Sequence, residues 1–260
     1  MTLYNKSSWP TFEESMKRAV NYNESRIEQN KWDLLVSRYN IIKDRPVSTP
    51  KIPKIIHQIW IGGNMPKIQK ELCENVKSFL SSDWTYMFWT EEDVYKLKTF
   101  KNLDEYMKTP NMGQKSDLLR YEILNQYGGI YLDTDFIMVK NFYEMLDLDF
   151  FCGVAFDSSP NLLNGLIGTT AGNPLIEDVL NLDVPIGYSD GMDVINSTGP
   201  YLVTRKLFNN IEKMDNVVVF PASFFYPFPN TDINKNPDYK TYIEPETICC
   251  HVWHGSWMIL

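Results

Sequence analysis

The sequence predicts an α/β fold in which helices flank a mostly parallel, twisted sheet. Two short apolar runs, residues 55–61 and 84–90, have the length and composition of buried strands. Each run is followed by a segment with helical character, at 66–80 and from Thr90 onward. Because strands alternate with helices, the sheet is expected to bind its ligands beyond the carboxyl ends of its strands.

The residues around these runs support the assignments. A glycine pair at 62–63 would end the first strand, and apolar residues recur at helical spacing within 66–80. Thr90 is a suitable N-cap, and Asp93 stands three residues later in the capping-box position. We therefore expect a helix to begin directly after the second strand.

The clearest helix of the sequence covers residues 115–129. Asp117 and Arg120 share one face of this helix because they are three residues apart. Gly128-Gly129 supplies a C-cap and a turn at its end. The helix therefore places a carboxylate and a guanidinium side by side, shortly before the next strand.

That strand ends in two acidic residues, within "YGGIYLDTDF" (127–136). Its period of two places Tyr131 and Asp133 on the same face, and Asp135 follows after one residue. Two close carboxylates without a counter-charge repel each other, and one tends to stay protonated. Mg²⁺ or Mn²⁺ would remove this repulsion, since both accept carboxylate oxygens and keep positions open for phosphate oxygens. The alternative is a solvated turn.

The rest of the chain is predicted in less detail. Residues 1–50 are expected to form an N-terminal helical appendage and linker, and residues 51–260 the main domain. Further strands are expected within 141–156, 161–170 and 216–228, and helices at 173–182 and 199–211. The segment 248–257 is short and aromatic, with two of the three histidines.

Composition excludes several classes of protein. The net charge is −8 and the pI about 5.0, so a broad basic surface for nucleic acid is not expected. No apolar run approaches the length of a transmembrane helix, about 20 residues, and no signal sequence is evident at the N-terminus. The predicted location is cytoplasmic, with peripheral membrane contact through the N-terminal helices as an option.

Four segments, in order, resemble the glycosyltransferases that contain a DXD sugar-binding motif. They are "IPKIIHQIWIGG" (52–63), "SDLLRYEILNQYGGIYLDTDF" (116–136), "STGPYLVTR" (197–205) and "HVWHGSW" (251–257). The group is similar to family 32 and includes initiating α-1,6-mannosyltransferases, α-1,4-galactosyltransferases, capsule polysaccharide transferases and the glucosylating domain of large clostridial toxins. The resemblance is strong over 52–140, patchy to 257 and absent over 1–50.

The resemblance implies a Rossmann-like GT-A fold and a retaining transfer of a hexose from a nucleotide-diphosphate sugar. The implied cofactor is Mn²⁺ or Mg²⁺. UDP-glucose or UDP-galactose is the leading donor and GDP-mannose the next, and the acceptor is a hydroxyl of a glycan, glycolipid or protein. In the mechanism implied for the family, the leaving phosphate helps to deprotonate the acceptor on the same face of the sugar.

The resemblance also implies roles for individual residues. Asp133 and Asp135 would hold the metal, with Asp135 as its direct ligand. Asp117 and Arg120 would hold hydroxyls of the donor sugar. For this second pair the alternative is a surface ion pair, which contributes little to stability.

Three further residues are implied to contact the donor. Trp60 would stack on the nucleobase, Tyr131 would reach the nucleotide, and Asn164 would face the sugar. The alternative for the two aromatic residues is a structural place in the core.

The C-terminal segment is implied to close the site. His254 or His251 would add a metal ligand, with His254 preferred, and Ser256 and Trp257 would contact the diphosphate. The alternative for either histidine is a buried structural role.

Two other functions remain open at this point. A phosphatase of the haloacid dehalogenase type also places Asp-x-Asp after an apolar strand, although its motif continues differently from Phe136-Ile137. A non-catalytic module that binds a nucleotide sugar would keep the same fold and much of the same site.

Overall fold

The computed structural model describes residues 6–19, 26–187, 190–235 and 238–255. Its α-helices are α1 (Phe12–Arg18), α2 (Gln29–Lys43), α3 (Lys67–Ser78), α4 (Leu103–Lys108), α5 (Met112–Tyr127), α6 (Pro174–Val179), α7 (Gly191–Ser197) and α8 (Pro200–Asn210). Its strands are β1 (Ile55–Ile59), β2 (Thr85–Trp89), β3 (Gly129–Leu132), β4 (Phe136–Met138), β5 (Phe150–Val154), β6 (Leu162–Thr169), β7 (Val217–Phe220) and β8 (Cys249–His251). Short 3₁₀ helices occur at Lys6–Ser8, Glu91–Lys96, Tyr143–Met145, Ile211–Lys213, Ala222–Phe224, Asn230–Lys235 and Tyr239–Tyr242.

Six of the strands form one twisted sheet in the order β2-β1-β3-β6-β5-β7. β1 pairs in parallel with β2 and β3, and β5 pairs in parallel with β7. β6 runs antiparallel to both of its neighbours, β3 and β5. The predicted mostly parallel α/β sheet is therefore confirmed. A second sheet, in which β4 pairs antiparallel with β8, was not predicted.

The junction between α5 and β3 follows the predicted local chemistry. The side chain of Asn111 caps the start of α5 by accepting a hydrogen bond from the backbone N–H of Gln114. At its end Gly128 adopts φ +61, and a Cβ at this position would lie 2.6 Å from the backbone nitrogen of Ala171. Only glycine fits that combination of positive φ and close approach, so the helix ends there and the chain enters β3.

The segment after β2 differs from the prediction. Thr90 and Asp93 form the expected capping box, in which the Thr90 backbone N–H and hydroxyl both donate to Asp93 Oδ2 at 2.8 Å. The segment is nevertheless a 3₁₀ helix, Glu91–Lys96, and not an α-helix. Within it Val94 alone is buried, so it has too little apolar surface to stabilise a longer α-helix.

The N-terminal helices pack their apolar side chains into the same hydrophobic core as the sheet. Phe12 of α1 and Trp32, Leu35 and Tyr39 of α2 are fully buried there. α2 lies against β7 at the edge of the sheet. The division of the chain into two domains near residue 50 stays a prediction.

No α-helix in the described ranges is long and apolar enough to cross a bilayer. The cytoplasmic location and the peripheral membrane contact stay predictions.

Candidate active site

A cavity of about 650 Å³ opens at the carboxyl ends of β1 and β3. The end of β1 lines it from Ile59 to Gly62, and the turn after β3 lines it from Asp133 to Asp135. The first half of α5, the start of β6 and parts of α7 and α8 also line it. Further lining residues come from loops and from the C-terminal segment, among them Phe156, Tyr226, Ile233, His251, Trp253 and His254. The cavity therefore lies where the sequence predicts the site, beyond the carboxyl ends of the strands.

The backbone fixes the turn that carries the two aspartates. The backbone N–H of Asp133 donates to the carbonyl of Gly165 in β6 at 2.8 Å. The carbonyl of Asp135 accepts a hydrogen bond from the backbone N–H of Val252 at 2.9 Å. The turn is therefore held between the central sheet and the C-terminal segment, and both carboxylates face the cavity.

Three side chains in this region can converge on one metal ion. Asp133, Asp135 and His251 each offer a ligand atom, and these atoms lie within 4.8 Å of one another. His251 Nε2 is 3.0 Å from Asp135 Oδ1. Carboxylate oxygens suit Mg²⁺ and Mn²⁺, whereas an imidazole nitrogen is a better ligand for a transition metal than for Mg²⁺. Of the two predicted ions, this donor set fits Mn²⁺ better than Mg²⁺.

The structure brings His251, and not the preferred His254, into this group. β8 pairs with β4 so that His251 stands opposite Phe136, beside the aspartates. The backbone N–H of His254 donates to Asp135 Oδ2 at 2.9 Å, but its ring is exposed, with Nδ1 3.5 Å from Gln69 Nε2. His254 therefore contacts Asp135 through its backbone, while the His251 ring faces the carboxylates.

The two aspartates have pKa values that are shifted in opposite directions. Burial raises the pKa of the Asp133 carboxyl; the charge of Arg120 offsets part of this rise and the charge of Asp135 adds to it. Burial also acts to raise the pKa of Asp135, but His251 and the backbone N–H of His254 outweigh it and leave this pKa below its ordinary value. The predicted repulsion is therefore present, and a bound cation would relieve it.

Asp117, Arg120 and Asn164 form a buried polar network next to the aspartates. Arg120 Nη2 lies 3.2 Å from both Asp117 Oδ1 and Asp133 Oδ1. Asn164 Nδ2 donates to Asp117 Oδ1 at 2.8 Å, and Arg120 Nη1 donates to the carbonyl of Asn164. Asp117 is 5% exposed and Arg120 4%, so this is not the surface ion pair of the alternative interpretation.

Burial also changes the protonation of Asp117. It raises the pKa of this carboxyl to about 6, although the Arg120 charge and the Thr198 hydroxyl, which donates to Oδ2 at 3.0 Å, act to lower it. The pKa of Asp117 therefore lies close to neutral pH, and loss of the Arg120 charge would raise it further.

The two predicted aromatic contacts have different environments. The Tyr131 hydroxyl donates to Asp133 Oδ1 at 2.7 Å, and the Arg120 guanidinium lies 4.4 Å from its ring centre. Tyr131 is buried, and its hydrogen bond holds the Asp133 carboxylate in position. Trp60 is half-buried on the cavity wall, where its ring N–H donates to the carbonyl of Gly63 at 2.9 Å. Ser256 and Trp257 lie outside the described residues.

Sequence comparison places this chain in a known protein family. The family described as "Glycosyltransferase sugar-binding region containing DXD motif" matches residues 66–151. An uncharacterized glycosyltransferase of Acanthamoeba polyphaga mimivirus is 31% identical over 221 residues, which cover 79% of this chain and 84% of that protein. The chain belongs to this family of DXD-containing glycosyltransferases.

Other members of the family are similar over shorter regions. Inositol phosphoceramide mannosyltransferase 3 of Schizosaccharomyces pombe is 31% identical over 163 residues, 59% of this chain and 44% of that enzyme. Lactosylceramide 4-alpha-galactosyltransferase of Mus musculus is 30% identical over 152 residues, 54% of this chain and 40% of that enzyme. The chain thus matches less than half the length of these two glycosyltransferases.

The fold agrees with the family assignment. The solved structure of the PaToxG glycosyltransferase superposes with a TM-score of 0.52 at 20% identity, over 78% of this chain and 79% of that one. The GT-A fold implied by the sequence resemblance is therefore confirmed. A phosphatase of the haloacid dehalogenase type is the wrong interpretation of the Asp-Thr-Asp motif.

Three polar residues near the aspartates were not predicted from the sequence. Thr198 hydrogen-bonds Asp117, the Tyr121 hydroxyl accepts from Asn164 Nδ2 at 2.9 Å, and Gln58 Nε2 donates to the carbonyl of Asp133 at 3.2 Å. Thr198 lies in the family-like segment 197–205, and Gln58 is a polar residue inside an apolar strand. These two features could have marked Thr198 and Gln58 as candidate site residues, because buried polar side chains need a specific partner.

Proposed function

We propose that the protein is a metal-dependent, retaining glycosyltransferase that moves a hexose from a nucleotide-diphosphate sugar to an acceptor hydroxyl. One observation supports this most strongly. The metal-ligand group of Asp133, Asp135 and His251 shares one cavity with the buried Asp117–Arg120 pair. A nucleotide-diphosphate sugar needs a metal site for its diphosphate and, next to it, polar groups that bind its sugar.

Asp133, Asp135 and His251 would hold Mn²⁺. When bound, the ion would neutralise the diphosphate and the charge that develops on it as the sugar leaves. Tyr131 and Arg120 both contact Asp133 Oδ1 and fix that carboxylate in place. Such positioning by neighbouring groups is typical of metal sites.

Asp117 would hold a hydroxyl of the donor sugar. An ionised carboxylate has about four acceptor positions, and Asn164, Arg120 and Thr198 occupy three of those on Asp117. The remaining position is available to a sugar hydroxyl, since Asp117 lines the cavity. Arg120, Asn164 and Thr198 keep the carboxylate from turning away, so the sugar would meet a prearranged acceptor.

A retaining reaction without a covalent enzyme intermediate fits the carboxylates available. Asp117, Asp133 and Asp135 are the only carboxylates among the described cavity residues, and each is assigned above to sugar or metal binding. A separate carboxylate nucleophile is therefore missing from this part of the wall. The leaving phosphate would accept the proton of the acceptor hydroxyl, and sugar transfer would occur on one face.

The donor would be UDP-glucose, UDP-galactose or GDP-mannose, and the acceptor a glycan or glycolipid. The similar mannosyl- and galactosyltransferases are named for transfer to ceramide-containing lipids. Met112 and Ile233 line the cavity and are 39% and 37% exposed, so part of its rim is apolar. This surface suits the less polar part of a glycolipid.

Hydrolysis of the donor in the absence of acceptor tests the proposal directly. After chelation of metals, UDP- and GDP-sugars are incubated with the protein alone, with Mn²⁺ and with Mg²⁺. We expect one donor to be hydrolysed in the presence of Mn²⁺, more slowly with Mg²⁺, and not without metal. No hydrolysis of any donor would support the non-catalytic sugar-binding module, and equal hydrolysis without metal would contradict the metal assignment.

Replacement of Trp60 by alanine is expected to weaken binding of the nucleoside diphosphate. Stacking of a base on an aromatic ring contributes about 1–3 kcal/mol, so the Kd for UDP or GDP should rise about 5- to 150-fold. Calorimetric titration in the presence of Mn²⁺ measures the change. Phe88→Ala is a matched control because Phe88 is an exposed aromatic residue of β2 outside the cavity. Unchanged affinity in Trp60→Ala would rule out stacking.

A further inference from the structure

The Tyr226 hydroxyl is buried without a hydrogen-bond partner among the described residues. The residue is 2% exposed, and its hydroxyl forms no hydrogen bond with a described group. The side chain nevertheless lines the cavity. Buried polar atoms nearly always have a partner, so an unpaired hydroxyl on a side chain that lines a cavity is a candidate donor to a bound ligand.

The position of this hydroxyl is fixed by packing. The Tyr226 backbone N–H donates to the carbonyl of Ala222 at 2.8 Å. Its ring meets Phe136 edge-on, with centres 5.6 Å apart, and lies so close to Gly153 that a Cβ there would be 3.0 Å from Cε2. The ring therefore cannot turn the hydroxyl toward a distant protein partner without disturbing the core.

Tyr226 is also tied to the metal-ligand group. The backbone N–H of His251 donates to the carbonyl of Phe225 at 3.1 Å, directly before Tyr226 in the chain. The rings of Tyr226 and His251 are 5.8 Å apart in an edge-to-face arrangement. The phenol is protonated at neutral pH and can donate a hydrogen bond. A phosphate oxygen held through a metal ion at Asp133, Asp135 and His251 would be an acceptor for it.

We propose that the Tyr226 hydroxyl donates a hydrogen bond to an oxygen of the donor's diphosphate. The inference rests on the proposed function and adds a residue that touches the leaving group. A fixed donor in a dry site stabilises charge that grows on that oxygen during transfer. The contact would replace the hydrogen bond that the hydroxyl lacks within the protein.

Tyr226→Phe removes the hydroxyl and keeps the ring. We expect the free energy of unfolding without ligand to be unchanged or slightly higher, because no protein hydrogen bond is lost. We expect the Kd for UDP or GDP with Mn²⁺ to rise about 10- to 100-fold, as for a hydrogen bond to a charged group. The Kd for UMP or GMP should change less, because these nucleotides lack the second phosphate.

Tyr106→Phe is the matched control. The Tyr106 hydroxyl is also buried and unpaired among the described residues, but Tyr106 does not line the cavity. Its removal should leave both nucleotide affinities unchanged. Chemical unfolding gives the stability of each variant, and calorimetric titration gives each Kd.

The outcomes separate this inference from the proposed function. If the wild-type protein binds no nucleoside diphosphate with Mn²⁺, the proposed function fails and the inference fails with it. If the wild type binds and Tyr226→Phe binds equally well, only the inference is wrong. A loss of stability in Tyr226→Phe that Tyr106→Phe does not show would reveal a protein partner. Equal weakening for mono- and diphosphates would place the contact on the nucleoside or the first phosphate and would contradict a contact with the oxygen that leaves the sugar.

Discussion

Asp135→Asn is expected to lower turnover by on the order of 10³-fold or more while the protein stays folded. Asparagine keeps the volume of the side chain and one oxygen, which can still accept the backbone N–H of His254, as Asp135 Oδ2 does at 2.9 Å. Its amide can donate to His251 Nε2, which lies 3.0 Å from Asp135 Oδ1. The negative charge is lost, and with it the strongest attraction for a divalent cation.

Turnover is measured as donor hydrolysis, and Mn²⁺ affinity by direct titration. Asp104→Asn is the matched control because Asp104 is an exposed carboxylate in the first turn of α4, away from the cavity. The control should keep wild-type turnover and metal affinity. Turnover in Asp135→Asn similar to that of the wild type would show that Asp135 is not a metal ligand. A large fall in stability would show that its main role is structural.

The parts of the site that are local in sequence could be predicted. Asp133 and Asp135 follow one strand within three residues, and Asp117 and Arg120 are one helical turn apart. Helix and strand periodicity bring such residues together wherever the rest of the chain lies. The sequence therefore predicted the aspartate motif and the Asp117–Arg120 pair, and the structure confirms that they are neighbours.

The choice between the two histidines could not be made from the sequence. It depends on the register of β8 against β4, which places His251 opposite Phe136. A three-residue strand carries almost no periodicity from which a register can be predicted. The chain then turns at Trp253, which has φ +57, so His254 leaves the direction of the strand. Non-glycine residues adopt this conformation rarely, and tertiary contacts of the Trp253 ring accompany it.

Thr198 and Tyr226 illustrate the same limit. Each lies more than 60 residues from the aspartate motif in the sequence, and its position at the cavity depends on how α7, α8 and residues 222–226 pack against the sheet. The family-like segment 197–205 points to Thr198 but not to its contact with Asp117, and the sequence around Tyr226 does not distinguish it from a core aromatic residue. An unpaired hydroxyl or a buried carboxylate with several donors is visible only once the chain is folded.

Arg120→Met is expected to reduce both stability and activity. Arg120 Nη2 lies 3.2 Å from Asp117 and from Asp133, and Asp117 is almost fully buried. Removing one partner of a buried ion pair leaves an uncompensated charge and costs about 3–5 kcal/mol of the free energy of unfolding. Methionine fills most of the space, so the loss should come from charge and hydrogen bonding more than from a cavity.

Arg205→Met is the matched control for this arginine. Arg205 of α8 pairs with Asp183 at 2.6 Å, but both side chains are about one-third exposed, at 33% and 28%. Exposed pairs contribute about 0–1 kcal/mol, so the control should be close to the wild type in urea unfolding. A similar loss in both variants would show that burial of the Arg120 pair has no special effect.

The loss in Arg120→Met should also depend on pH. Burial raises the pKa of Asp117 to about 6 even with Arg120 present, and without this positive charge it should rise further. A carboxyl whose folded pKa lies above its unfolded pKa binds more protons in the folded state, so stability falls as pH rises between the two values. The difference from the wild type should therefore be smaller at about pH 4.5 than at about pH 7.5. An equal difference at both pH values would indicate lost packing.

A second substitution separates the electrostatic penalty from the function of the pair. In Asp117→Asn combined with Arg120→Met, the buried charge that lost its partner is itself removed. Asparagine keeps one oxygen, which can accept from Asn164 Nδ2 as Asp117 Oδ1 does at 2.8 Å, and its amide N–H can donate to the Thr198 hydroxyl, which lies 3.0 Å from Asp117 Oδ2. We expect the double variant to recover part of the stability lost in Arg120→Met. Donor hydrolysis should not recover, because the proposed sugar-binding carboxylate is then absent as well.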